Sequence, residues 1–242
     1  EGATYKYTAG DGTQSDPDES SGTLFPETGI TISSICTVKV RGFKTDFTDS
    51  EVTTANYILP FLYVRAGKNG YGSKSNPLGS IQKAIDIAKT GCKIFVANGT
   101  YNESIIIKKD IELLGSYSSD FSSRNDPNSF SKKNKSIISG KGEKAVYFSG
   151  AGVTNACKIQ GFRINGKSFG IYCENNAKPT IIENYIECNS TSRNVCGICN
   201  TSYACPIISR NLISGHRPCD RMVFSSCGIV NSEYSNPVID KN

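Results

Sequence analysis

The 242-residue sequence has no tryptophan, one methionine and one histidine, and it lacks any long apolar run. No stretch approaches the roughly 18 apolar residues that cross a bilayer as a helix, so no transmembrane segment is expected within the chain. The chain also lacks a strong charge of one sign: 27 Lys and Arg residues are offset by 22 Asp and Glu residues, so the formal net charge is only +5. The densest basic stretch is typical of a solvated polar loop rather than a contiguous basic face, so no nucleic-acid partner is expected. It comprises Lys132, Lys133 and Lys135.

Three segments in the second half of the chain share one pattern, which indicates an internal repeat. Each opens with Gly-Ile, has proline nine positions after the glycine, and has asparagine five positions after the proline. The glycines are Gly170, Gly197 and Gly228. Further back, Ile137, Ile159 and Ile181 are 22 residues apart, and the later units lengthen to 27 and 31 residues. Units this short cannot bury a core alone, so they must stack on one another.

Stacking of short β-rich units predicts a parallel β-helix, in which each strand pairs with the equivalent strand of the next coil. β-Branched residues suit such buried parallel strands. Two columns should therefore face the core: Ile171, Ile198 and Ile229, and Ile181, Ile208 and Ile239. An asparagine column should bond along the axis and occupy the left-handed position of a turn: Asn184, Asn211 and Asn242. The column before it pairs Glu183 with Arg210, which we interpret as a surface ion pair.

The chain ahead of these coils predicts one helix and a separate β-rich domain. Apolar residues from Ile81 to Ala88 follow helical spacing, so a capping helix is expected at about 79–90, beginning after Ser80 and ended by Gly91. It would cover the open end of the stack. Residues 1–58 alternate short strands with turns, as in a partial β-sandwich, and Leu59-Pro60 is the expected junction with the β-helix of residues 61–242.

Ten cysteines are many for a reducing compartment. Two consecutive loops between repeats carry the same unit, a pair of cysteines eight positions apart. We predict two loop-closing disulfides, Cys188–Cys196 and Cys219–Cys227, and hence an oxidising compartment. The alternative is pairing across coils, for example Cys196 with Cys227.

Residues 62–121 contain Tyr63-Val64, Asn76-Pro77, the Ile81–Ala88 helix, Gly99-Thr100-Tyr101 and Leu114-Gly115-Ser116-Tyr117. With these motifs the segment resembles the N-terminal entry of right-handed parallel β-helix proteins of the pectate-lyase-like superfamily. Residues 1–57 contain Tyr5-Lys6-Tyr7-Thr8, Thr37-Val38-Lys39-Val40-Arg41 and Asn56-Tyr57, and with them resemble the chitobiase/β-hexosaminidase C-terminal-type domain. That family has one or two earlier strands, so the chain is expected to be a fragment at its start. Together the two resemblances imply a mainly β, bacterial, secreted or cell-surface protein.

The catalytic motifs of such carbohydrate enzymes are missing from the sequence. The N-T-D, D-D, G-H-G and R-I-K motifs of polygalacturonase-like hydrolases do not occur, and no acidic column forms across the repeats for a calcium site. The sequence offers no pair of carboxylates that would serve as a catalytic pair, and no cofactor is expected. The favoured hypothesis is therefore a non-catalytic structural or binding module, adhesin-like or carbohydrate-binding. The alternative is a polysaccharide lyase or glycoside hydrolase whose active coils follow residue 242.

The loop between the last two repeats is the first place to expect binding, because it is the longest insertion and has mixed charge. Its candidates are His216, Arg217, Asp220 and Arg221. The expected partners are a polysaccharide or a host or cell-surface protein. The protein is expected to be extracellular or at the cell surface, either secreted or as an outer-membrane lipoprotein. Membrane anchoring is expected only if a lipidated N-terminus lies upstream of this chain. The third repeat stops at its asparagine, so the natural sequence is expected to continue with an apolar strand.

Overall fold

The computed structural model describes residues 2–10, 12–32, 36–57, 60–126, 135–188, 195–214 and 227–242. The chain divides into two compact units, Glu1–Leu59 and Pro60–Asn242. In the first unit the described residues form one antiparallel sheet in the order β2-β1-β3-β4. The unit is therefore β-structured, while the predicted β-sandwich, which requires a second sheet, stays a prediction. Its strands are β1 (Thr4–Gly10), β2 (Thr23–Leu24), β3 (Cys36–Phe43) and β4 (Thr53–Tyr57).

The second unit is a parallel β-helix, which confirms the fold class predicted from the repeats. Its elements in chain order are β5 (Phe61–Val64), α1 (Ile81–Ile87), β6 (Lys93–Ala97), β7 (Gly99–Tyr101), β8 (Ile105–Ile107), β9 (Glu112–Tyr117), β10 (Ser136–Ser139), β11 (Lys144–Ser149), β12 (Lys158–Gln160), β13 (Phe162–Gly166), β14 (Phe169–Glu174), β15 (Thr180–Ile182), β16 (Tyr185–Cys188), β17 (Cys196–Asn200), β18 (Ile207–Ser209), β19 (Leu212–Ser214), β20 (Cys227–Asn231) and β21 (Val238–Asp240).

Three parallel sheets form the sides of this β-helix, and each coil visits them in turn. The first sheet holds β5, β6, β9, β12, β15, β18 and β21; the second holds β7, β10, β13, β16 and β19; the third holds β8, β11, β14, β17 and β20. Below, the connection from the first to the second sheet is called the asparagine turn. The connection from the third sheet back to the first, residues 150–157, 175–179, 201–206 and 232–237, is called the tyrosine turn.

The core consists of stacked aliphatic columns. Ile171 lies beside Ile198, which lies beside Ile229, and a second column runs through Ile181, Ile208 and Ile239. Ile171, Ile181, Ile198 and Ile208 are fully buried, whereas Ile229 is partly exposed and Ile239 is 48% exposed in the last coil. Each fully buried isoleucine contributes about 1.5–3 kcal/mol of transfer free energy. The stack of coils therefore supplies the core that no single repeat could form.

The asparagine turn joins adjacent coils through buried amides. The side-chain oxygen of Asn211 accepts from the backbone N–H of Asn184 at 3.0 Å and from its side-chain amide at 3.1 Å. Asn242 binds Asn211 in the same way, at 2.9 Å for both bonds. The left-handed residue, however, is the one before each asparagine, with φ of 56° at Glu183 and 52° at Arg210. The expectation that asparagine itself takes this conformation is wrong, because its side chain is used along the axis.

The pair formed by Glu183 and Arg210 is more buried than a surface ion pair. Glu183 is 6% exposed, and its carboxylate accepts from Arg210 Nε at 3.0 Å and from Gln160 Nε2 at 2.5 Å. The Arg210 side chain remains 48% exposed. Removing Arg210 would take the charged hydrogen-bond donor away from a nearly buried carboxylate, which costs more than breaking an exposed pair.

Helix α1 is shorter than predicted and is attached to the first strand of the third sheet. Ser80 caps its start as expected, accepting from Lys83 N, but the helix ends at Ile87 because Ala88 is already extended. Gly91 lies beyond the helix, in the following turn, with φ of 84°. The side-chain amide of Gln82 pairs with Ile106 of β8, accepting from its N–H at 2.7 Å. Gln82 thus occupies the backbone edge that a further strand would otherwise extend.

Candidate functional site

The four loop residues nominated from the sequence lie outside the described residues, as does Cys219. They are His216, Arg217, Asp220 and Arg221. In chain order they fall between β19 of the second sheet and β20 of the third. Their role in binding stays a prediction.

The disulfide predictions are likewise not decided. Of the four loop cysteines, only Cys196 has a described side chain, and its Sγ lies 2.7 Å from the carbonyl oxygen of Ile198. In the third sheet Cys196 is the register partner of Cys227. Neighbouring strands are about 4.8 Å apart, which is within the Cα separation that a disulfide spans. The backbone therefore permits the cross-coil alternative, while Cys188–Cys196 remains the predicted pairing.

The outer face of the third sheet carries an aromatic cluster around one lysine. Lys144 Nζ lies 3.6 Å from the ring centroid of Tyr172 and 4.2 Å from that of Tyr147. Phe169 packs edge-on against Tyr172 at 5.1 Å. The Tyr147 hydroxyl donates to the carboxylate of Glu174. A cation–π contact of this kind stabilises the folded protein by roughly 0.5–2 kcal/mol. Lys144 covers the ring faces that a ligand would need.

The environment of this cluster makes both tyrosine hydroxyls harder to ionise than that of a free tyrosine. Burial raises the pKa of Tyr172 to about 12, and the neighbouring carboxylates act in the same direction. Burial and the hydrogen bond to Glu174 raise the pKa of Tyr147. A hydrogen bond from Cys196 lowers the pKa of the Cys199 thiol against the effect of burial, and Lys144 lowers it further. The cluster satisfies its own charges, which favours a structural role.

The tyrosine turn is different, because its aromatic rings are exposed. In three consecutive coils two adjacent turn residues have positive φ, as at the centre of a type I′ turn. They are Asn175-Asn176 (56° and 64°), Ser202-Tyr203 (49° and 65°) and Glu233-Tyr234 (50° and 62°). Asparagine suits this conformation, whereas a bulky residue there is uncommon and strained. Backbone strain of this kind concentrates at functional sites, so the two tyrosines are candidates for function.

Tyr203 and Tyr234 form a stacked pair on the surface. Their ring centroids are 5.2 Å apart with an interplanar angle of 12°, and the residues are 54% and 82% exposed. The hydroxyl groups of Thr201 and Ser202 donate to Glu233 Oε2 at 2.8 and 2.7 Å, which ties the two turns together. These bonds lower the pKa of Glu233, so its carboxylate is ionised at neutral pH.

A groove of about 470 Å³ precedes the tyrosine pair along the same edge. Val153 and Ile207 form part of its apolar lining, and Asn155, Asn176 and Lys178 are among its polar residues. The backbone N–H of Asn176 donates to the carbonyl oxygen of Ser202 at 3.0 Å, so the groove and the tyrosine pair are adjacent. Within the described part of the chain, the side-chain amides of Asn155 and Asn176 have no hydrogen-bond partner.

The sequence carries a signal for this surface at a position outside the Gly-Ile, proline and asparagine pattern of the repeat. The position six residues after the repeat glycine reads Asn176, Tyr203 and Tyr234. A column that changes from asparagine to tyrosine cannot be explained by turn propensity, because tyrosine is the poorer turn residue. The change to tyrosine in this column therefore indicates a functional role for the position.

Features of metal enzymes and membrane spans are not found in the described ranges. There, no three His, Cys, Asp or Glu residues are grouped so that they could hold a metal ion. No helix among those residues is long and apolar enough to cross a membrane.

A protein-family model described as "Protein of unknown function (DUF1565)" matches residues 65–242, well over half of the chain. The protein belongs to the DUF1565 family. This family is associated with right-handed β-helix proteins, in agreement with the parallel sheets. The DUF1565 match covers the groove and the tyrosine pair and leaves the N-terminal unit outside it. No curated protein and no solved structure matches the chain.

Proposed function

We propose that this DUF1565 protein is a non-catalytic glycan-binding module of the cell surface or of a secreted protein. The observation that carries the proposal is the stacked, exposed pair of Tyr203 and Tyr234 on strained turns. Tyrosine is large and amphipathic, and two such rings exposed side by side gain little from the fold beyond their own contact. A ligand that covers them explains why they are there.

A carbohydrate fits the chemistry of this edge. The C–H-bearing face of a sugar ring packs on an aromatic face, while its hydroxyl groups need donors and acceptors close by. Asn155 and Asn176 supply amides without intramolecular partners, and Lys178 supplies a cationic donor. The groove volume lies within the usual range for small-ligand sites. The third-sheet cluster supports this choice by contrast, because Lys144 fills its rings.

The N-terminal unit and the compartment complete the proposal. The antiparallel sheet β2-β1-β3-β4 supports, at the level of secondary structure, the chitobiase/β-hexosaminidase C-terminal-type domain inferred from residues 1–57. We assign it a linking or carbohydrate-contacting role. The ten cysteines support an extracellular or cell-surface location.

Glycan binding without turnover is the result that tests the proposal. The chain is incubated with soluble polysaccharides, and both retention and released sugar products are measured. Tyr203→Asn and Tyr234→Asn remove the rings while introducing the residue that the preceding coil carries at this position, Asn176, which suits the left-handed backbone. Both variants should retain less polysaccharide, whereas Tyr71→Ala, which removes a 52% exposed tyrosine outside the groove, should not.

Two outcomes would contradict the proposal. Retention that is unchanged in Tyr203→Asn and Tyr234→Asn would remove the tyrosine pair from binding. Release of unsaturated or reducing-end sugars would favour the alternative, a polysaccharide lyase or glycoside hydrolase. In that case the substitutions that abolish product would identify the catalytic coils.

A further inference from the structure

We infer that the ligand is an extended glycan chain that lies along the β-helix axis, with one end in the groove at Asn155 and the other on Tyr203 and Tyr234. This inference rests on the proposed function and concerns the same edge of the molecule. It specifies a polymer contacted along its length, in contrast to a single sugar held at a chain end.

The repeat geometry sets the direction of the ligand. The position filled by Asn176, Tyr203 and Tyr234 recurs once per coil, so these side chains are ordered along the axis at intervals of about 4.8 Å. The coil before Asn176 contributes Thr154 and Asn155 to the groove. Groove and tyrosine pair together therefore span four consecutive coils in a line parallel to the axis.

A small ligand in the groove does not account for the tyrosine pair. The groove is lined by residues of three consecutive coils, of which the coil of Tyr203 contributes Cys205 and Ile207, but the rings of Tyr203 and Tyr234 are not part of its lining. A monosaccharide in the groove would leave the tyrosine pair uncovered. Only a ligand longer than the groove contacts the amides at one end and the exposed rings at the other.

The chemistry of the edge differs along its length, which suits a chain that presents hydroxyl groups and ring faces together. At the groove end, the exposed amides of Asn155 and Asn176 and the ammonium of Lys178 can bond hydroxyl or carbonyl oxygens. At the other end the surface is aromatic, with Glu233 already held by Thr201 and Ser202. Binding energy should therefore accumulate as the ligand grows from the groove towards Tyr234.

A length series of oligosaccharides tests this inference directly. β-1,4-Linked glucose, xylose and N-acetylglucosamine oligosaccharides, from disaccharide to octasaccharide, are titrated calorimetrically against the whole chain. Affinity should rise with length and then reach a plateau. Asn155→Ala should weaken the binding of short and long members alike. Tyr203→Asn should leave the disaccharide unchanged and weaken the octasaccharide about tenfold, equivalent to about 1.4 kcal/mol.

The possible failures are distinguishable. If no oligosaccharide or polysaccharide binds, the proposed function itself is wrong. If the disaccharide binds as tightly as the octasaccharide, or if Tyr203→Asn weakens both equally, glycan binding stands and the extended orientation is overturned. Thermal unfolding of each variant is measured alongside, and Tyr203→Phe, which retains the ring, should bind the octasaccharide like the unmodified chain.

Discussion

The most direct test of how the coils are held together is the substitution Asn184→Ala. Asn184 is fully buried, and its Oδ1 accepts from the backbone N–H of Phe162 at 3.1 Å. Its Nδ2 donates to the carbonyl oxygens of Ile159 and Ile182, both at 3.0 Å, and to Asn211 Oδ1 at 3.1 Å. One side chain therefore satisfies groups in three consecutive coils. Alanine at position 184 would leave these backbone and side-chain groups in place without the amide to which they are bonded.

The magnitude follows from what becomes unpaired. The Phe162 N–H loses its acceptor inside the protein, which costs roughly 1–3 kcal/mol. The carbonyl oxygens lose one donor each, a smaller penalty since a carbonyl accepts two bonds. We expect a total loss of about 3 kcal/mol, a large part of the roughly 5–15 kcal/mol that stabilises a typical domain. Asn184→Asp keeps the Oδ1 acceptor but points a second oxygen at the carbonyls, so it should be no less destabilising.

The assay must separate local from global effects, because repeat proteins can unfold in parts. We would measure urea unfolding together with hydrogen exchange at the Phe162 amide. Asn184→Ala should lower the unfolding midpoint and reduce protection of that amide. Asn102→Ala, at an exposed asparagine, is the control and should change stability by no more than about 0.5 kcal/mol. If Asn184→Ala matched this control in both measurements, the buried ladder would not be what joins the coils.

Three further predictions concern the edge, the acid response and the cysteines. Gln82→Ala should speed amide exchange at Ile106 and produce concentration-dependent association in sedimentation, since the edge of β8 loses its cover; a well-protected monomer would contradict this. Burial raises the pKa of Glu112, but hydrogen bonds from two lysines outweigh burial, so the pKa is lowered on balance. The stability that ionised Glu112 contributes is therefore complete above its pKa in the unfolded chain, about 4.3, and is lost as the pH falls through its pKa in the folded protein. Glu112→Gln should reduce stability at pH 7 and flatten the acid side of a pH–stability curve, and an unchanged curve would refute the assignment. Non-reducing peptide mapping should recover Cys188 linked to Cys196; a bridge from Cys196 to the next coil would favour the alternative.

Most of the fold could be predicted because the same pattern of residues recurs in several consecutive coils. A column such as Ile181, Ile208 and Ile239 is constrained by every coil it crosses, so the pairing of parallel strands follows from the spacing alone. The asparagine ladder was predictable for the same reason. What spacing could not give was the backbone conformation at each position. The left-handed residue is Glu183 rather than Asn184, and only the observed φ angles distinguish them.

The site was less predictable because contacts there join residues that the repeat places in different columns. Lys144 lies in register with Phe169 but covers the rings of Tyr147 and Tyr172, and nothing in the spacing shows which rings a flexible lysine will reach. That contact favours a structural role for the outer face of the third sheet, because Lys144 covers an aromatic surface that the sequence alone would present as open.

The tyrosine pair shows the opposite case, in which folding requirements and sequence disagree. At the second left-handed position of the turn, Asn176 adopts a positive φ at little cost, whereas Tyr203 and Tyr234 are strained there. Their mutual stacking returns roughly 0.5–1.5 kcal/mol, which at best offsets the strain at one of the two residues. The fold alone would therefore favour asparagine in all three coils. Accordingly Tyr234→Asn should preserve or raise the unfolding midpoint while weakening glycan retention, and a variant that loses stability together with binding would show that the tyrosines serve the fold.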